Sequence, residues 1–467
     1  MNTANSQIVG DREAAVIALQ ARFGAQLTQA DALRQQHANT VTGLEEQWPD
    51  AVLFAQSRDD VVTAVEILAA HKCPVIPFGI GTSLEGQVNA PRGGVCIDLS
   101  RMDAIIEVNQ TDMVVRVQPG VTRQQLNEYL RDTGLFFPID PGANATLGGM
   151  AATRASGTNA VRYGTMRDAV MGLEVVLPNA QLIRTGGQAK KSAAGYDLTR
   201  LMIGSEGTLG IMTELTIRLH GIPEVIAGGI CSFNSIGDAC RAVATTIQSG
   251  IPVARIELLD TMQVRACNGY SGYDFPETPL LLLEFHGTDA SVAEDAATFG
   301  EIAAEHGSQG FEWSAKLEDR NRLWKMRHEA YYAMLASRKG ALAIVTDVCV
   351  PISRLAEALL ETKADIAASG IPGPIVGHVG DGNFHSALLI DPDNPEEREI
   401  ANALAARMAK RAVALGGTIT GEHGVGMGKR SYMEAEHGSA WSVMGAIKTA
   451  LDPQNIMNPD KLVPPRN

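Results

Sequence analysis

Apolar side chains recur at helical spacing in two segments near the start of the chain. Over residues 11–38 they fall near every third or fourth position, which predicts an amphipathic helix. A second helix is predicted over residues 59–71, where Val61, Val65 and Leu68 fall on one side. The chain is therefore predicted to begin with helices.

The pattern changes after this second helix. Short runs of β-branched residues alternate with glycine-rich turns, and such runs predict strands. A helix predicted over residues 123–133 interrupts them. Because strands and helices do not alternate regularly, the pattern favours an α+β domain with sheets over a βαβ series. The predicted strands cover residues 75–78, 95–99, 114–117, 173–177 and 211–215.

A new pattern starts near residue 222, where the glycine loops stop. The order strand, helix, strand, strand, helix is that of a ferredoxin-like domain. Further helices are predicted over residues 318–335 and 396–414, followed by a C-terminal part of helix and loop. The five elements of the new pattern are predicted at residues 225–232, 236–249, 254–259, 280–285 and 292–306.

The composition is that of an ordinary globular protein. The chain has 467 residues, of which 45% are hydrophobic and 20% charged, and it is too long for a single ordinary core. Its net charge of −14 argues against nucleic-acid binding, because phosphates repel an acidic surface. No uncharged apolar run reaches the roughly 18 residues that a membrane-spanning helix needs.

Cysteine spacing and the N-terminus bear on the compartment. The six cysteines are scattered without a C-x-x-C pair, which favours reduced thiols in an intracellular protein over a disulfide framework. Residues 1–6 are polar and lack the apolar core of an export signal. We therefore expect a cytoplasmic protein, and peripheral attachment at the inner membrane stays open.

Three glycine-rich loops interrupt the strand-rich region. The first reads Pro-Phe-Gly-Ile-Gly-Thr-Ser over residues 77–83, where amides and hydroxyls would suit a pyrophosphate, although an ordinary tight turn is the alternative. The G-x-G-x-x-G motif is not met, because Leu84 stands where the third glycine belongs. The second cluster covers residues 141–164 and the third residues 204–211. Together they predict backbone packed around a large, flat, phosphorylated ligand.

The strongest chemical signal lies in two short segments near the C-terminus. Residues 377–385 read Gly-His-Val-Gly-Asp-Gly-Asn-Phe-His, and residues 421–424 read Gly-Glu-His-Gly. The first is predicted to be a hairpin with His378 and His385 facing each other, their Cβ atoms roughly 5 Å apart. Two imidazoles so placed suit one divalent metal, with Glu422 as a third ligand and His423 as a spare base. Ordinary hydrogen-bonded histidines are less favoured, because four such groups fall in two glycine-flanked segments.

These loops and histidine motifs, in this order, resemble the FAD-linked oxidase superfamily of the vanillyl-alcohol oxidase type. Within it the chain is similar to the branch of FAD-dependent D-lactate dehydrogenases, D-2-hydroxyglutarate dehydrogenases and glycolate oxidase FAD subunits. The resemblance covers nearly the whole chain and implies an α+β fold. A two-subdomain FAD-binding domain would span residues 1–222, and a ferredoxin-like α+β substrate (cap) domain residues 223–415. A C-terminal helical segment, residues 416–467, would return to the FAD domain.

The resemblance also implies which residues bind the cofactor and the metal. None of the loops contains the histidine that links flavin covalently in many members, so non-covalent FAD is expected. The implied pyrophosphate contacts are Pro77, Phe78, Gly79, Ile80, Gly81, Thr82 and Ser83. The implied flavin and ribityl contacts are Pro141, Gly142, Thr146, Gly148, Gly149, Ser156 and Gly157, with Asn458 near the isoalloxazine. Glu206, Gly207 and Ile211 would support the adenosine end, and zinc or manganese would bind His378, His385 and Glu422.

The reaction implied is oxidation of a D-2-hydroxyacid. The flavin would take a hydride from Cα, and a metal-bound hydroxyl would lose its proton to His423. The resemblance also implies that Arg327 binds the substrate carboxylate, which its bidentate fork suits, although an ordinary helix-surface arginine is the alternative. Asn383 could donate a hydrogen bond to the substrate, although asparagine also suits a turn.

The expected substrate is D-lactate, which would be oxidised to pyruvate. The strand at residues 343–351 lacks the cation that 2-hydroxyglutarate enzymes carry there, although Lys339 nearby leaves a dicarboxylate open. A glycolate oxidase FAD subunit, a non-redox flavoenzyme of the alkyl-glycerone-phosphate synthase type and a non-enzymatic subunit also stay open. The electron acceptor would be a quinone, cytochrome c or an electron-transferring flavoprotein, and a homodimer is left open.

Overall fold

The computed structural model describes residues 10–38 and 42–465, so the polar residues 1–6 lie outside the described part. The first region contains a four-stranded sheet in the order β1-β2-β4-β3, in which β2, β4 and β3 run parallel. Helices pack on it through a core that includes Leu19, Val65 and Leu68. The elements are α1 (Arg12–Phe23), β1 (Leu27–Thr28), α2 (Asp31–Gln36), β2 (Ala51–Phe54), α3 (Arg58–Ala70), β3 (Val75–Phe78) and β4 (Val95–Asp98).

A five-stranded antiparallel sheet follows, in the order β5-β6-β10-β8-β9, and a short β11-β7 pair accompanies it. The strands of the sheet are β5 (Ile105–Asn109), β6 (Val114–Val117), β8 (Val170–Val176), β9 (Leu182–Gly186) and β10 (Ile211–Arg218), and those of the pair are β7 (Leu135–Phe136) and β11 (His220–Gly221). The helices of this part are α4 (Arg123–Leu130), α5 (Leu147–Thr153), α6 (Ala160–Tyr163), α7 (Met166–Ala169) and α8 (Leu198–Met202).

The next region is built on one large sheet. Its first four strands have the order β15-β12-β14-β13, which in chain order is 4-1-3-2, and β18, β19 and β16 extend the sheet beyond β13. The strands are β12 (Val225–Phe233), β13 (Val253–Leu259), β14 (Leu280–Gly287), β15 (Ser308–Ser314), β16 (Leu342–Val345), β17 (Val348–Cys349), β18 (Ile375–Gly377) and β19 (Asn383–Ile390). The helices are α9 (Ile236–Gln248), α10 (Thr261–Ser271), α11 (Asp289–Glu305), α12 (Leu317–Ser337), α13 (Leu355–Ser369) and α14 (Pro395–Ala414).

The C-terminal part returns to the first sheet. After α15 (Met433–His437) and α16 (Ser439–Leu451), the chain runs beside β3. The backbone amide of Val75 donates to the Ile456 carbonyl at 2.8 Å, and the Asn458 amide donates to the Val75 carbonyl at 2.8 Å. None of the helices in the described ranges is long and apolar enough to cross a bilayer.

The predicted α+β fold class with a ferredoxin-like unit is confirmed, whereas the long first helix was wrong. That helix ends at Phe23, because Gly24 takes a left-handed backbone with φ 52°, and a short strand separates it from α2. The sequence pattern also missed α10, which lies between two predicted strands. The division at residues 222 and 415 stays a prediction.

Candidate functional site

Three side chains of metal-ligating type converge where the large sheet meets the C-terminal part. His378 follows β18, His385 lies on β19, and Glu422 lies in the loop before α15. One ligand atom of each residue lies within 4.8 Å of the others. Their side chains are only 9%, 9% and 14% exposed. Separate chain segments thus bring together the ligand set that the sequence predicted.

The two histidines are not direct cross-strand partners, so this part of the hairpin prediction was wrong. His385 pairs with Val376, and His378 lies beyond the end of β18 at the start of a 3₁₀ turn over Val379–Asp381. The left-handed Gly382 completes this turn, which makes the connection longer than a tight hairpin turn. The histidines still meet as diagonal neighbours, with ring centroids 5.4 Å apart.

His378 is anchored by a buried carboxylate that the sequence analysis missed. Its Nδ1 lies 2.7 Å from Oε1 of Glu257 on β13, and Arg327 Nε donates to Oε2 of the same carboxylate at 2.7 Å. Burial alone would raise the pKa of Glu257, but His378 and Arg327 hold it below its ordinary value. The available signal was an acidic residue inside the apolar strand over Val253–Leu259.

A second buried carboxylate, Asp347, fixes the loop that carries Glu422 and His423. Its Oδ2 accepts the backbone amides of Glu422 at 3.1 Å and His423 at 3.0 Å, and the Thr420 hydroxyl at 2.6 Å. Lys429 Nζ also lies 3.5 Å from Oδ2. Burial alone would raise the pKa of Asp347, but Lys429 and the neighbouring histidines hold it well below its ordinary value. The carboxylate therefore stays charged and holds the loop.

His423 has the features expected of a base. Its ring stacks on His385, with centroids 5.0 Å apart and planes 16° from parallel. Nδ1 is buried and makes no hydrogen bond within the described residues, while Nε2 lies 3.9 Å from Glu422 Oε1. Burial lowers the pKa of His423 to about 4, and His385 and Lys429 act in the same direction. The imidazole is therefore neutral near pH 7 and can accept a proton.

The donor set fits a divalent cation. Burial alone would lower the pKa of His378, but the carboxylates of Glu257 and Glu422 raise it well above its ordinary value. A positive charge is thus favoured between the two carboxylates. The buried Nε2 of His385 lies 3.3 Å from Glu422 Oε1 without forming a hydrogen bond. Two imidazoles and one carboxylate in this state suit zinc or manganese.

The glycine loops form a cradle beside β3. A Cβ at Gly79 would lie 2.3 Å from the Thr146 hydroxyl, so the close approach of the two loops requires glycine there. The hydroxyl of Ser83 is buried and makes no hydrogen bond within the described residues, as expected for a group that meets a ligand. The cavity at this cradle is lined by eight of the residues predicted to bind FAD: Pro77, Phe78, Gly79, Thr146, Gly148, Gly149, Gly207 and Ile211.

Other predicted cofactor residues have different surroundings. Ile80 is 40% exposed, and a Cβ at Gly142 would meet open space. Gly157 packs against the Asp140 backbone, where a Cβ would lie 2.5 Å away. The remaining residues of these loops, Gly81, Thr82, Pro141 and Ser156, are half-buried and do not line the cradle cavity.

Glu206 and Asn458 hold protein backbone. Glu206 accepts the amides of Val425 at 2.7 Å and Gly426 at 2.8 Å. The side-chain nitrogen Nδ2 of Asn458 donates to the backbone carbonyls of Gln87 at 3.0 Å and Glu206 at 2.7 Å. The contacts of both residues therefore tie the glycine loops to the C-terminal part.

Hydrogen bonds and an ion pair join the cradle to the segments around the candidate metal cluster. Gln87 Nε2 donates to the His423 carbonyl at 2.8 Å. Lys429 Nζ donates to the Asp347 carbonyl at 2.9 Å and lies 3.3 Å from Oε1 of Glu85. The segment after the cradle thus supports the loop that carries His423. Sequence reasoning missed these contacts because each joins residues far apart in the chain.

Two residues predicted to bind the substrate differ in whether their hydrogen-bond donors are already used within the protein. Asn383 Nδ2 donates to Asp347 Oδ1 at 2.7 Å and to the Val348 carbonyl at 2.9 Å. Both of its amide hydrogens are therefore in use, contrary to the expectation of a donor for the substrate. Arg327 uses only Nε, so both terminal nitrogens are without a partner among the described residues.

Comparison with known proteins places these features in a family. Residues 222–462 match the family model for the C-terminal domain of FAD-linked oxidases, and residues 49–186 match the model of an FAD-binding domain. A probable D-lactate dehydrogenase of Danio rerio is 49% identical over 436 residues, which are 92% of this chain and 88% of that protein.

Two further relatives broaden this match. A D-lactate dehydrogenase [cytochrome] of Arabidopsis thaliana is 47% identical, covering 89% of this chain and 74% of that protein. The glycolate oxidase subunit GlcD of Bacillus subtilis is 35% identical, covering 89% of both chains.

The expected cytoplasmic location is contradicted by this comparison. The Danio rerio and Arabidopsis thaliana relatives are both named as mitochondrial proteins. The expectation was wrong because the absence of an apolar export-signal core in residues 1–6 bears only on export. Mitochondrial leaders are themselves polar and amphipathic, so this absence does not exclude them.

The fold agrees with the sequence match. The structure of p-cresol methylhydroxylase with substrate bound superimposes with a TM-score of 0.80 at 19% identity, covering 96% of both chains. At this identity the likeness concerns the fold alone. Taken with the sequence matches across both regions, it shows that the chain belongs to the FAD-linked oxidases, with a fold of the vanillyl-alcohol oxidase type.

Proposed function

We propose that the protein is an FAD- and divalent-metal-dependent dehydrogenase that oxidises D-lactate to pyruvate. The observation that carries this proposal is the convergence of His378, His385 and Glu422 beside a neutral histidine, His423. The relatives named D-lactate dehydrogenase support the substrate, since 49% identity extends over 92% of the chain.

The chain's own residues supply the acid–base chemistry. When bound, FAD would accept a hydride from the substrate carbon, and the cation would lower the pKa of the substrate hydroxyl. His423 removes the hydroxyl proton, because burial keeps its imidazole neutral and one ring nitrogen is without a partner. Asp347 holds the backbone of His423 in place, so the base has a fixed position.

Arg327 is proposed to bind the substrate carboxylate. Its Nε is held by Glu257, while its terminal nitrogens are free to form a bidentate contact. Lys339 lies exposed in the turn after α12, whereas the side chains of the candidate metal cluster are largely buried. This position favours a monocarboxylate, because a second carboxylate on the substrate would need another cation at the site.

The electrons are proposed to pass to an external acceptor, and a cytochrome such as cytochrome c is the first candidate because the Arabidopsis thaliana relative is named D-lactate dehydrogenase [cytochrome]. Quinone and electron-transferring flavoprotein stay as alternatives, and a homodimer stays a prediction. A second candidate substrate is glycolate, which the match to the glycolate oxidase subunit of Bacillus subtilis favours.

The proposal is tested by steady-state kinetics with an artificial dye acceptor. Purified protein is assayed on D-lactate, L-lactate, D-2-hydroxyglutarate and glycolate, before and after treatment with EDTA. We expect the highest kcat/KM with D-lactate, loss of turnover with EDTA, and recovery with zinc or manganese. Full turnover in protein shown by elemental analysis to be metal-free would refute the metal requirement. A higher kcat/KM on glycolate would move the assignment to the second candidate.

A further inference from the structure

We infer that Glu257 is a positioning residue that fixes the cation ligand His378 and the carboxylate-binding Arg327 in one rigid arrangement. The inference rests on the function proposed above, and it assigns a role to a residue in neither the ligand set nor the acid–base chemistry. Glu257 is fully buried on β13, and both of its oxygens have a partner in that arrangement.

The first contact selects the tautomer of His378. Oε1 of Glu257 lies 2.7 Å from Nδ1, and a carboxylate can only accept a hydrogen bond, so Nδ1 carries a proton. In the neutral ring, Nε2 then offers its lone pair, and it faces Glu422 Oε1 at 3.2 Å. A carboxylate behind a ligating histidine typically orients the ring and strengthens it as a ligand.

The second contact sets the direction of the arginine. Oε2 of Glu257 accepts from Arg327 Nε at 2.7 Å, and the Arg327 side chain is only 16% exposed. This hydrogen bond occupies the inner edge of the guanidinium and leaves its terminal nitrogens for a ligand. One carboxylate therefore sets the distance between the cation ligand and the substrate-binding arginine.

Replacement of Glu257 by the isosteric glutamine should disturb one of its two contacts, because a carboxylate accepts on both oxygens and an amide does not. Glutamine offers one acceptor oxygen and one donor nitrogen. If its oxygen stays with His378, its NH₂ group opposes the Nε–H of Arg327. If it turns over, the NH₂ group opposes Nδ1–H of His378. Either way one of the two contacts becomes repulsive.

The adjacent strand provides a matched control. Glu284 on β14 is 5% exposed, its Oε1 lies 2.7 Å from His286 Nε2, and Arg255 Nε lies 3.6 Å away. It therefore has the same kinds of partner as Glu257, an imidazole and a guanidinium, in the same sheet. However, none of its partners belongs to the proposed cation or substrate site.

The test is a titration of metal-free holoenzyme with Mn²⁺, in which free Mn²⁺ is measured by electron paramagnetic resonance. We compare wild type, Glu257→Gln and Glu284→Gln after confirming by circular dichroism that each is folded. Glu257→Gln should raise the Mn²⁺ Kd by about 10- to 100-fold, as for other lost partners of ligating histidines. Glu284→Gln should leave the Kd within about threefold of wild type, whatever it does to stability.

Two further results decide the inference. The KM for D-lactate should rise in Glu257→Gln, because Arg327 loses its fixed direction. If Glu257→Gln does not fold, Glu257→Asp serves as the second variant. It keeps the carboxylate charge but shortens the side chain by one methylene, so its Mn²⁺ Kd should also rise. An unchanged Kd in a folded Glu257 variant would overturn the inference and leave the proposed function standing. Failure of wild type to bind Mn²⁺, Zn²⁺ or any other divalent cation would overturn both.

Discussion

Substitution of Asp347 tests whether the loop of His423 is held in place by one buried carboxylate. Asp347→Asn changes a single atom and keeps the volume. An amide has one acceptor oxygen, whereas the carboxylate accepts from Glu422, His423 and Thr420 on one oxygen and from Asn383 on the other. The amide nitrogen must therefore face at least one donor that it cannot satisfy.

The magnitude follows from these contacts. A hydrogen bond to a charged group contributes about 1.5–3 kcal/mol, and an unsatisfied buried donor costs about 1–3 kcal/mol. The variant also removes one of the two carboxylates near Lys429, whose Nζ lies 3.5 Å from Oδ2 of Asp347 and 3.3 Å from Oε1 of Glu85. Since such contributions are not additive, we expect the free energy of unfolding to fall by about 3 kcal/mol in Asp347→Asn. The kcat should fall by about 100-fold, because the base and Glu422 share the loop that moves.

The assay combines urea unfolding with steady-state kinetics on D-lactate. Asp260→Asn is the control, because Asp260 is also buried and accepts the backbone amides of Gln263 at 2.8 Å and Ile375 at 3.2 Å. This control should lose stability while its folded form keeps kcat within about threefold of wild type. Wild-type stability together with wild-type kcat in Asp347→Asn would show that Asp347 does not hold the loop of His423.

Three further predictions follow from the site. His378→Ala should lose both the cation and turnover, whereas His423→Ala should keep the cation and FAD but lose roughly 100-fold in kcat. If elemental analysis shows that His423→Ala loses as much cation as His378→Ala, His423 is a ligand. Arg327→Lys should raise the KM for D-lactate about tenfold or more, because a point charge replaces a fork; an unchanged KM would remove Arg327 from the substrate site. Acid precipitation should release the flavin into the supernatant, and flavin that stays in the pellet would contradict non-covalent binding.

The sequence predicted the parts of the fold that rest on local patterns. Strands such as Val75–Phe78 and Val114–Val117 were predicted at the bounds found, because runs of β-branched residues mark buried strands. The first helix was drawn too long, because apolar spacing continued past Gly24 while the backbone there turned to a positive φ. Spacing alone does not report such a turn.

The candidate site likewise has residues that the sequence pattern predicted and residues that it could not predict. The cluster of His378, His385 and Glu422 could be predicted, because three strong ligand types stand in short glycine-flanked motifs. Glu257 and Asp347 could not be assigned, because each acts on residues dozens of positions away, and only the packed sheet reveals those contacts. The register of the hairpin was wrong for the same reason, since its 3₁₀ turn depends on the tertiary contacts around Gly382.

The most direct test of the proposed function is anaerobic reduction of the bound flavin by a substrate. Purified holoenzyme is mixed with D-lactate in the absence of any acceptor, and the loss of the oxidised-flavin absorbance is followed in a stopped-flow instrument, with L-lactate as the control. We expect rapid and complete bleaching with D-lactate and none with L-lactate. An oxidised flavin that persists in cation-loaded enzyme with saturating D-lactate would contradict the proposed function.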